Sequence, residues 1–444
     1  MGRLRDVHLG EHWPLLFGVL LVVAVVASFH LVAIGFLVPL DEAASDASQH
    51  DLRGPYFGAL DLGRGDNPYE PGSERRSDVR ARRLGLDRMT TLYAPPVLVL
   101  YLPLADMSLR RAKVVFLAIS FTCLLGAMAA LAWSAPSPRA LSALVMLPLV
   151  AGATEVFTTL SLGQVNIIIL FLLAFGFAAL EKGHARIGGS AIGLATLIKP
   201  IPAILLLGLG LRRQWRALAA GIVAIVVLLS VTIVCFGWTV HQSFLRTAFQ
   251  AGSNVQADSE NQNLASFLIR TLSGSETTDA SAVTPVGRVL WATTAALIAG
   301  VTGYCSVRRP RTPLRITLSM FLVTGLVLST RTLIHYYVWA LIPVAFALFE
   351  LARRRRWGAI VLLGVAYNCM FKASRRWEIG TPPFDGAMLT ITSIPFFGLM
   401  LVLGILVYLH IVDTTVDGEG SLVSPRRDLQ QDGERVGSGE GPAR

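Results

Sequence analysis

The sequence predicts an all-α polytopic membrane protein: a bundle of about twelve transmembrane helices with a long exterior first loop. Three observations lead there. Of the 444 residues, 53% are hydrophobic and only 15% are charged, far below the roughly 25% charged typical of soluble domains. A chain of this length and composition cannot cover itself with an ordinary hydrated surface. The apolar residues also gather into runs of about 18–28, the length needed to cross some 30 Å of hydrocarbon. Finally, basic clusters punctuate those runs, as they do in multi-pass proteins.

The first run, 13–40, carries no formal charge. It is too long for a signal-peptide core and lacks a small-x-small cleavage site, so it reads as a retained first helix. Further runs lie near 94–107, 114–134, 140–160, 165–181, 187–211, 216–237, 286–306, 313–330, 334–352, 357–371 and 386–412. Cys123, Cys235, Cys305 and Cys369 lie in or beside these runs with no CxxC or Cys/His spacing, so neither a zinc site nor a disulfide framework is expected.

Counting spans from an inside N-terminus places the clusters Arg110–Lys113, Arg212–Arg216, Arg308–Arg315 and Arg353–Arg356 in the cytoplasm. Lys182 and Arg186 disagree with the count. They would move inside if 140–160 and 187–211 were broken hairpins rather than single spans. The net charge of +10 thus reads as positive-inside topology, with no nucleic-acid partner implied. The predicted organisation is one transmembrane domain over 1–412 with both termini cytoplasmic. Its exterior segments are 41–93, 238–285 and 372–385, and the Gly/Ser-rich residues 413–444 form a disordered cytoplasmic tail.

In such a protein the informative residues are polar groups in apolar surroundings, and loops longer than a pore requires. The first loop, with ten acids and eight arginines, contains His50-Asp51-Leu52-Arg53-Gly54-Pro55-Tyr56, then Pro68-Tyr69, and ends at Tyr93-Ala94-Pro95-Pro96. Gly163-Gln164-Val165-Asn166 opens the 165 run. Gly193-Leu194-Ala195 and Lys199-Pro200 interrupt the 187 run, the latter marking a broken helix beside a polar cavity. Asn261-Gln262-Asn263-Leu264 and Arg270 lie in the second exterior loop, and His335-Tyr336 at the mouth of the tenth span.

The order and spacing of these motifs resemble glycosyltransferase family 87, which includes polyprenol-phosphate-mannose-dependent mannosyltransferases and arabinofuranosyltransferases of the multi-spanning GT-C fold. The likeness runs from about residue 13 to 345. Where the family has Asp-Phe-x-x-Tyr-Tyr, this chain reads Asp51-Leu52-Arg53-Gly54-Pro55-Tyr56. Its Tyr-Pro-Pro becomes Tyr93-Ala94-Pro95-Pro96, and its Asn-Gln-Ser becomes Asn261-Gln262-Asn263. The resemblance implies a mannose-like or arabinofuranose-like sugar carried from a polyprenyl-phosphate donor to a glycolipid or glycan acceptor. Transfer would be inverting, without metal or cofactor, at the exterior face of a bacterial plasma membrane.

Such transfer needs a carboxylate to take the acceptor's proton and cationic or hydrogen-bonding groups on the departing phosphate. The resemblance assigns Asp51 as the base, with Asp41 and Glu42 as rivals. His335 is the phosphate or acceptor-side partner, and Lys199 a fixed charge or a snorkelling side chain. Tyr56, Gln164, Asn166, Asn261, Gln262 and Arg270 are candidate substrate ligands. Glu155, buried by hydropathy, reads as a structural hydrogen-bonding group. The competing readings are a multi-spanning transporter or lipid flippase, and a GT-C enzyme of another family with its acids nearer the first span.

Overall fold

A computed structural model describes residues 8–43, 50–70, 91–135, 138–253, 257–274, 284–308, 312–372 and 391–420. Within them the chain is helical, with a single isolated bridge pairing Asn261 and Leu333. The arginine-rich stretch Arg75 to Arg88 and residues 421–444 lie outside the described residues.

The elements follow from the apolar runs and their breakers. Helix α1 (His8–Val32) passes through a π-helical turn, Ala33–Leu37, into α2 (Val38–Glu42). A 3-10 turn (His50–Leu52) leads to α3 (Arg53–Gly63), and α4 (Pro95–Ala105) starts at the Pro-Pro pair, whose fixed φ suits a first helical turn. Then come α5 (Leu109–Ser134), α6 (Arg139–Ala151), α7 (Thr154–Leu162), α8 (Asn166–Glu181), α9 (Ala185–Ile198), α10 (Ala203–Leu211), α11 (Trp215–Phe236) and α12 (Trp238–Ser253). The remainder are α13 (Leu264–Ser273), α14 (Pro285–Arg308), α15 (Leu314–Leu328), a 3-10 segment Ile334–Ala340, α16 (Leu341–Arg353), α17 (Trp357–Phe371) and α18 (Ile394–Gly420). Helix α18 thus carries backbone helix through 413–420, part of the stretch expected to be a disordered tail.

Among the described residues, six helical stretches are long and apolar enough to cross a membrane: Phe17–Glu42, Leu109–Ser134, Trp215–Phe236, Pro285–Arg308, Ile334–Arg353 and Ile394–Ile411. The pair α6–α7, bent by 66°, makes a seventh. Their outward faces expose Val22, Val25, Phe29, Val234, Val289 and Leu297, which water would not tolerate as a continuous surface and lipid does. The other expected spans are helices of 10–17 residues, so the length criterion does not reach twelve. At the centre, α15 and the 334–353 stretch are almost wholly buried, and Phe346 stacks on Phe177 of α8 at 5.8 Å.

Charged contacts define one end of the bundle. Arg315 at the start of α15 pairs with Glu181 at the end of α8 (2.5 Å) and with buried Glu350. Arg353 and Arg354 share Glu350, and Arg354 also reaches the Leu409 carbonyl. Arg212 donates to Thr317 Oγ1 and the Thr312 carbonyl. Three of the basic clusters therefore meet at this arginine end.

The fourth does not, which corrects the sequence-based count. Helices α5 and α8 run side by side in the same direction, with Gly126 against Phe171 and the Trp133 ring under Lys182. Trp133 is thus at the arginine end. Leu109 begins the same 26-residue helix roughly 36 Å from Trp133 at 1.5 Å per residue, so Arg110, Arg111 and Lys113 lie at the opposite end. The reason is α4: with eleven residues it is too short to return the chain, and Met107 after it is held by the Tyr56 hydroxyl of α3 (2.8 Å).

Compensation comes from the 187–211 run. Lys182 and Arg212 both belong to the arginine end, so α9 and α10 form a hairpin whose tip is Lys199-Pro200. This is one of the two broken hairpins that the sequence raises for Lys182 and Arg186. By contrast, 140–160 is bent yet continues from the arginine end toward the opposite one. Helix α9 crosses α11 with backbone almost touching backbone: a Cβ on Gly193 would come within 2.3 Å of the Gly221 carbonyl, and one on Gly189 within 1.9 Å of Ala217 O. Small residues four apart are what such an approach demands. That is the physical meaning of Gly193 in the Gly193-Leu194-Ala195 motif.

Candidate active site

At the end opposite the arginines, three chain reversals bring the motif residues together. Gly163 ends α7 in the left-handed conformation (φ +68°), which a side chain would strain. The chain turns there, and Gln164 and Asn166 arrive at the start of α8. Lys199 caps α9 in extended backbone (φ −142°, ψ 140°), the conformation a following proline favours. The third reversal is the 3-10 segment carrying His335 and Tyr336.

The resulting cluster is continuous. Lys199 Nζ donates to Asn166 Oδ1 (2.8 Å) and Gln164 Oε1 (3.3 Å), and lies 3.8 Å from the centre of the Tyr336 ring. Gln164 Oε1 also accepts from the Tyr93 hydroxyl (3.2 Å), and Gln164 Nε2 donates to Asp51 Oδ2 (2.5 Å). Two donors on one side of the amide and a carboxylate on the other leave one sensible amide orientation. Asn166 Nδ2 and Thr159 Oγ1 both approach the His335 carbonyl (3.4 and 3.3 Å), and Trp339 Nε1 donates to the Asn166 carbonyl (3.0 Å). The His335 ring is 5% exposed, and its buried Nε2 has no hydrogen-bond partner. Asp51, Gln164, Asn166, Lys199 and His335, predicted from four separate segments, thus share one site.

Electrostatics separate the groups by role. Burial first, then the neighbouring Tyr101, Tyr336 and Asp51, hold the Tyr93 phenol well above its ordinary range, so it remains a donor to Gln164. Burial and the negative charges of Asp258 and Asp51 push the Glu260 carboxyl upward. Arg331, exposed on the same loop as His335, is close enough for its charge to be felt by Lys199, His335 and Tyr336. Tyr336 and Arg331 were not singled out from sequence as site groups. Tyr336 could have been, since its aromatic face stands next to His335 in the motif itself.

Asn261, Gln262 and Arg270 have a different employment. The Asn261 side chain accepts from Thr332 N (2.8 Å) and Asn263 Nδ2 (2.8 Å) and donates to Thr330 O (3.3 Å). Gln262 donates from Nε2 to Thr392 O (2.7 Å), and its carbonyl accepts from Tyr337 (2.8 Å). Arg270 donates to the carbonyls of Asp258 (2.7 Å) and Asn261 (2.9 Å) and to Ser393 Oγ (3.0 Å). Together they form a brace that pins the 330–337 segment, and so positions His335 and Tyr336. Tyr56 belongs to the packing of α3 on the Met107 turn. Asp41 and Glu42 are exposed at the end of α2, and Glu155 accepts from the Thr154 hydroxyl (2.9 Å).

No curated protein and no solved structure matches this chain. The model of glycosyltransferase family 87 matches residues 91–334, a stretch that contains Tyr93, Gln164, Asn166, Lys199 and the brace and ends beside His335. With more than half the chain matched and its apolar helices outward-facing, this protein belongs to glycosyltransferase family 87 and is a membrane glycosyltransferase.

Proposed function

We propose that the protein transfers a mannose-like or arabinofuranose-like sugar from a polyprenyl-phosphate donor to a glycolipid or glycan acceptor, with inversion and without a metal ion. The observation that carries this reading is the convergence of Asp51, Gln164, Asn166, Lys199 and His335 in one hydrogen-bonded cluster. In the proposed step Asp51 takes the proton of the acceptor hydroxyl as that oxygen attacks C1. The C1–O bond to phosphate breaks, and its electron pair leaves on polyprenyl phosphate. Lys199 faces the charge that develops there, and the unpartnered His335 Nε2 supplies a further polar contact. Gln164 holds Asp51 from one side while Lys199 and Tyr93 hold Gln164, so the carboxylate is oriented by a fixed amide.

The two ends of the bundle support an orientation. Arg212, Arg315, Arg353 and Arg354 at one end suit the cytoplasmic face, which leaves the Asp51 cluster at the exterior face of a bacterial plasma membrane. Reporter fusions after Arg216, Arg315 and Arg356 are expected to read cytoplasm. The decisive experiment incubates membranes containing the protein with labelled polyprenyl-phosphate sugars and extracts the lipids. Label appearing in a glycolipid or glycan supports the reading, and no transfer from any polyprenyl-phosphate sugar overturns it.

A further inference from the structure

Two arginines at the site end are buried, and the fold treats them differently. Arg270 is fully enclosed and donates to the carbonyls of Ala257, Asp258 and Asn261 and to Ser393. A structural guanidinium in this protein is saturated by the protein. Arg53, the first residue of α3 and two residues beyond Asp51, is only 5% exposed. Among the described residues it has no hydrogen-bond, ion-pair or ring partner, and its Nε is wholly enclosed without one. A guanidinium buried to this degree without a partner is costly.

An anion is the complement that removes this cost, and the planar fork of arginine matches two oxygens of a phosphate. We propose that Arg53, at the start of α3, is an anion receptor that binds a phosphate group of a substrate; the assignment rests on the glycosyl-transfer reading above. The phosphate has two chemical sources: the polyprenyl-phosphate donor, or a phosphate headgroup on a lipid acceptor. Both present the same oxygens to the same fork.

The test compares the full-length parent with Arg53→Gln and Arg53→Lys in a phosphate-free, uncharged detergent. Binding of polyprenyl phosphate is measured against neutral polyprenol, and of phosphatidylinositol against diacylglycerol, alongside melting without ligand. Arg53→Gln is expected to weaken binding of one phosphate probe by roughly ten- to hundred-fold, the range of a charge-assisted hydrogen bond. Binding of the neutral counterpart should stay unchanged, melting of Arg53→Gln without ligand should stay level or rise as the unpaired charge is removed, and phosphate binding by Arg53→Lys should fall between. Loss confined to polyprenyl phosphate identifies the donor, and loss confined to phosphatidylinositol identifies the acceptor; either supports the proposal. Parent-like binding of both phosphate probes by Arg53→Gln overturns it, as does a collapse of melting without ligand in both variants, which would make Arg53 structural. If the parent transfers no sugar but Arg53→Gln still loses phosphate binding, the glycosyl-transfer reading fails and the anion site stands. If transfer occurs and Arg53→Gln binds both probes normally, the reading stands and the anion site fails.

Discussion

The Asp51 cluster and the Arg270 brace are built from the same kinds of side chain, buried to a similar degree, at the same end of the molecule. They differ in where their hydrogen bonds end. In the brace, Arg270, Asn261 and Gln262 terminate mostly on backbone groups of the 257–263, 330–332 and 392 segments. Those bonds tie one stretch of chain to another. In the cluster, Lys199, Gln164, Asn166 and Asp51 are linked side chain to side chain, and the His335 ring keeps a nitrogen unpartnered. Side chains that orient one another suit a ligand, and side chains that tie separate stretches of backbone together suit a fold; an unpartnered atom does not decide between them, because Gln262 Oε1 in the brace is one too. Burial and polarity alone do not tell the two apart.

The largest effect tests the cluster. Asp51→Asn keeps the side chain's size and its contact with Gln164 but removes its basicity, so turnover is expected to fall by about 10²–10⁴ at normal protein abundance. Asp41→Asn and Glu42→Gln should change turnover little. Near-normal turnover in Asp51→Asn together with a dead Asp41→Asn would move the base to the end of α2.

A matched pair sharpens the contrast. Lys199→Gln should cost turnover by about 10²–10³, the usual scale for one electrostatic contact to a developing charge, with a small change in melting temperature. Arg270→Met should do the reverse, because the carbonyls of Asp258 and Asn261 lose their donor at about 1–3 kcal/mol for each buried group left unsatisfied. Its melting temperature should fall while the folded fraction keeps its kcat. Equal thermal losses in the two variants would erase the distinction between cluster and brace.

A smaller effect is expected away from both regions. Gly193→Leu pushes α9 off α11, costing about 1–3 kcal/mol of stability and displacing Lys199 at the tip of the hairpin, so both melting temperature and turnover should drop. Gly300→Leu, where an added Cβ meets nothing within 4 Å, is the control.

The smallest effect concerns Glu260. Its carboxyl is raised in the folded protein, so the folded state holds that proton to higher pH than the unfolded chain does. Stability is therefore lost as pH rises through the folded value. Glu260→Gln should melt about 1 °C higher than the parent at neutral pH, with the gain vanishing in acid below the ordinary carboxylate range. A gain that grew on acidification would contradict the assignment.

How much of this was legible beforehand depended on the range of the interaction that decides it. Gly163 and Pro200 act on their own backbone, so the turn and the helix break that deliver Gln164, Asn166 and Lys199 could be read from the motifs. Arg270 reads from sequence as a candidate substrate ligand because an arginine at an exterior mouth is equally suited to an anion or to carbonyls. Only the arrival of Ser393 and the 257–261 carbonyls chose the second. The Arg110–Lys113 cluster was misplaced for a similar reason. A run of apolar residues records a preference for lipid or a packed interior, and it does not record whether the helix turns back.

The sequence by itself determined that the chain is helical and membrane-embedded, and which polar residues stand out from that background, because hydrophobicity, helix breaking and charge are properties of single residues and short runs. The tertiary structure alone decided that 187–211 is a hairpin and that 94–107 stays at one end. It also decided that Asp51, Gln164 and Lys199 share hydrogen bonds while Asn261 and Arg270 lock a loop, and that Arg53 is enclosed without a partner. Each of these depends on which distant segment fills the space beside a residue, and packing between segments far apart in the chain is the quantity that local composition does not contain.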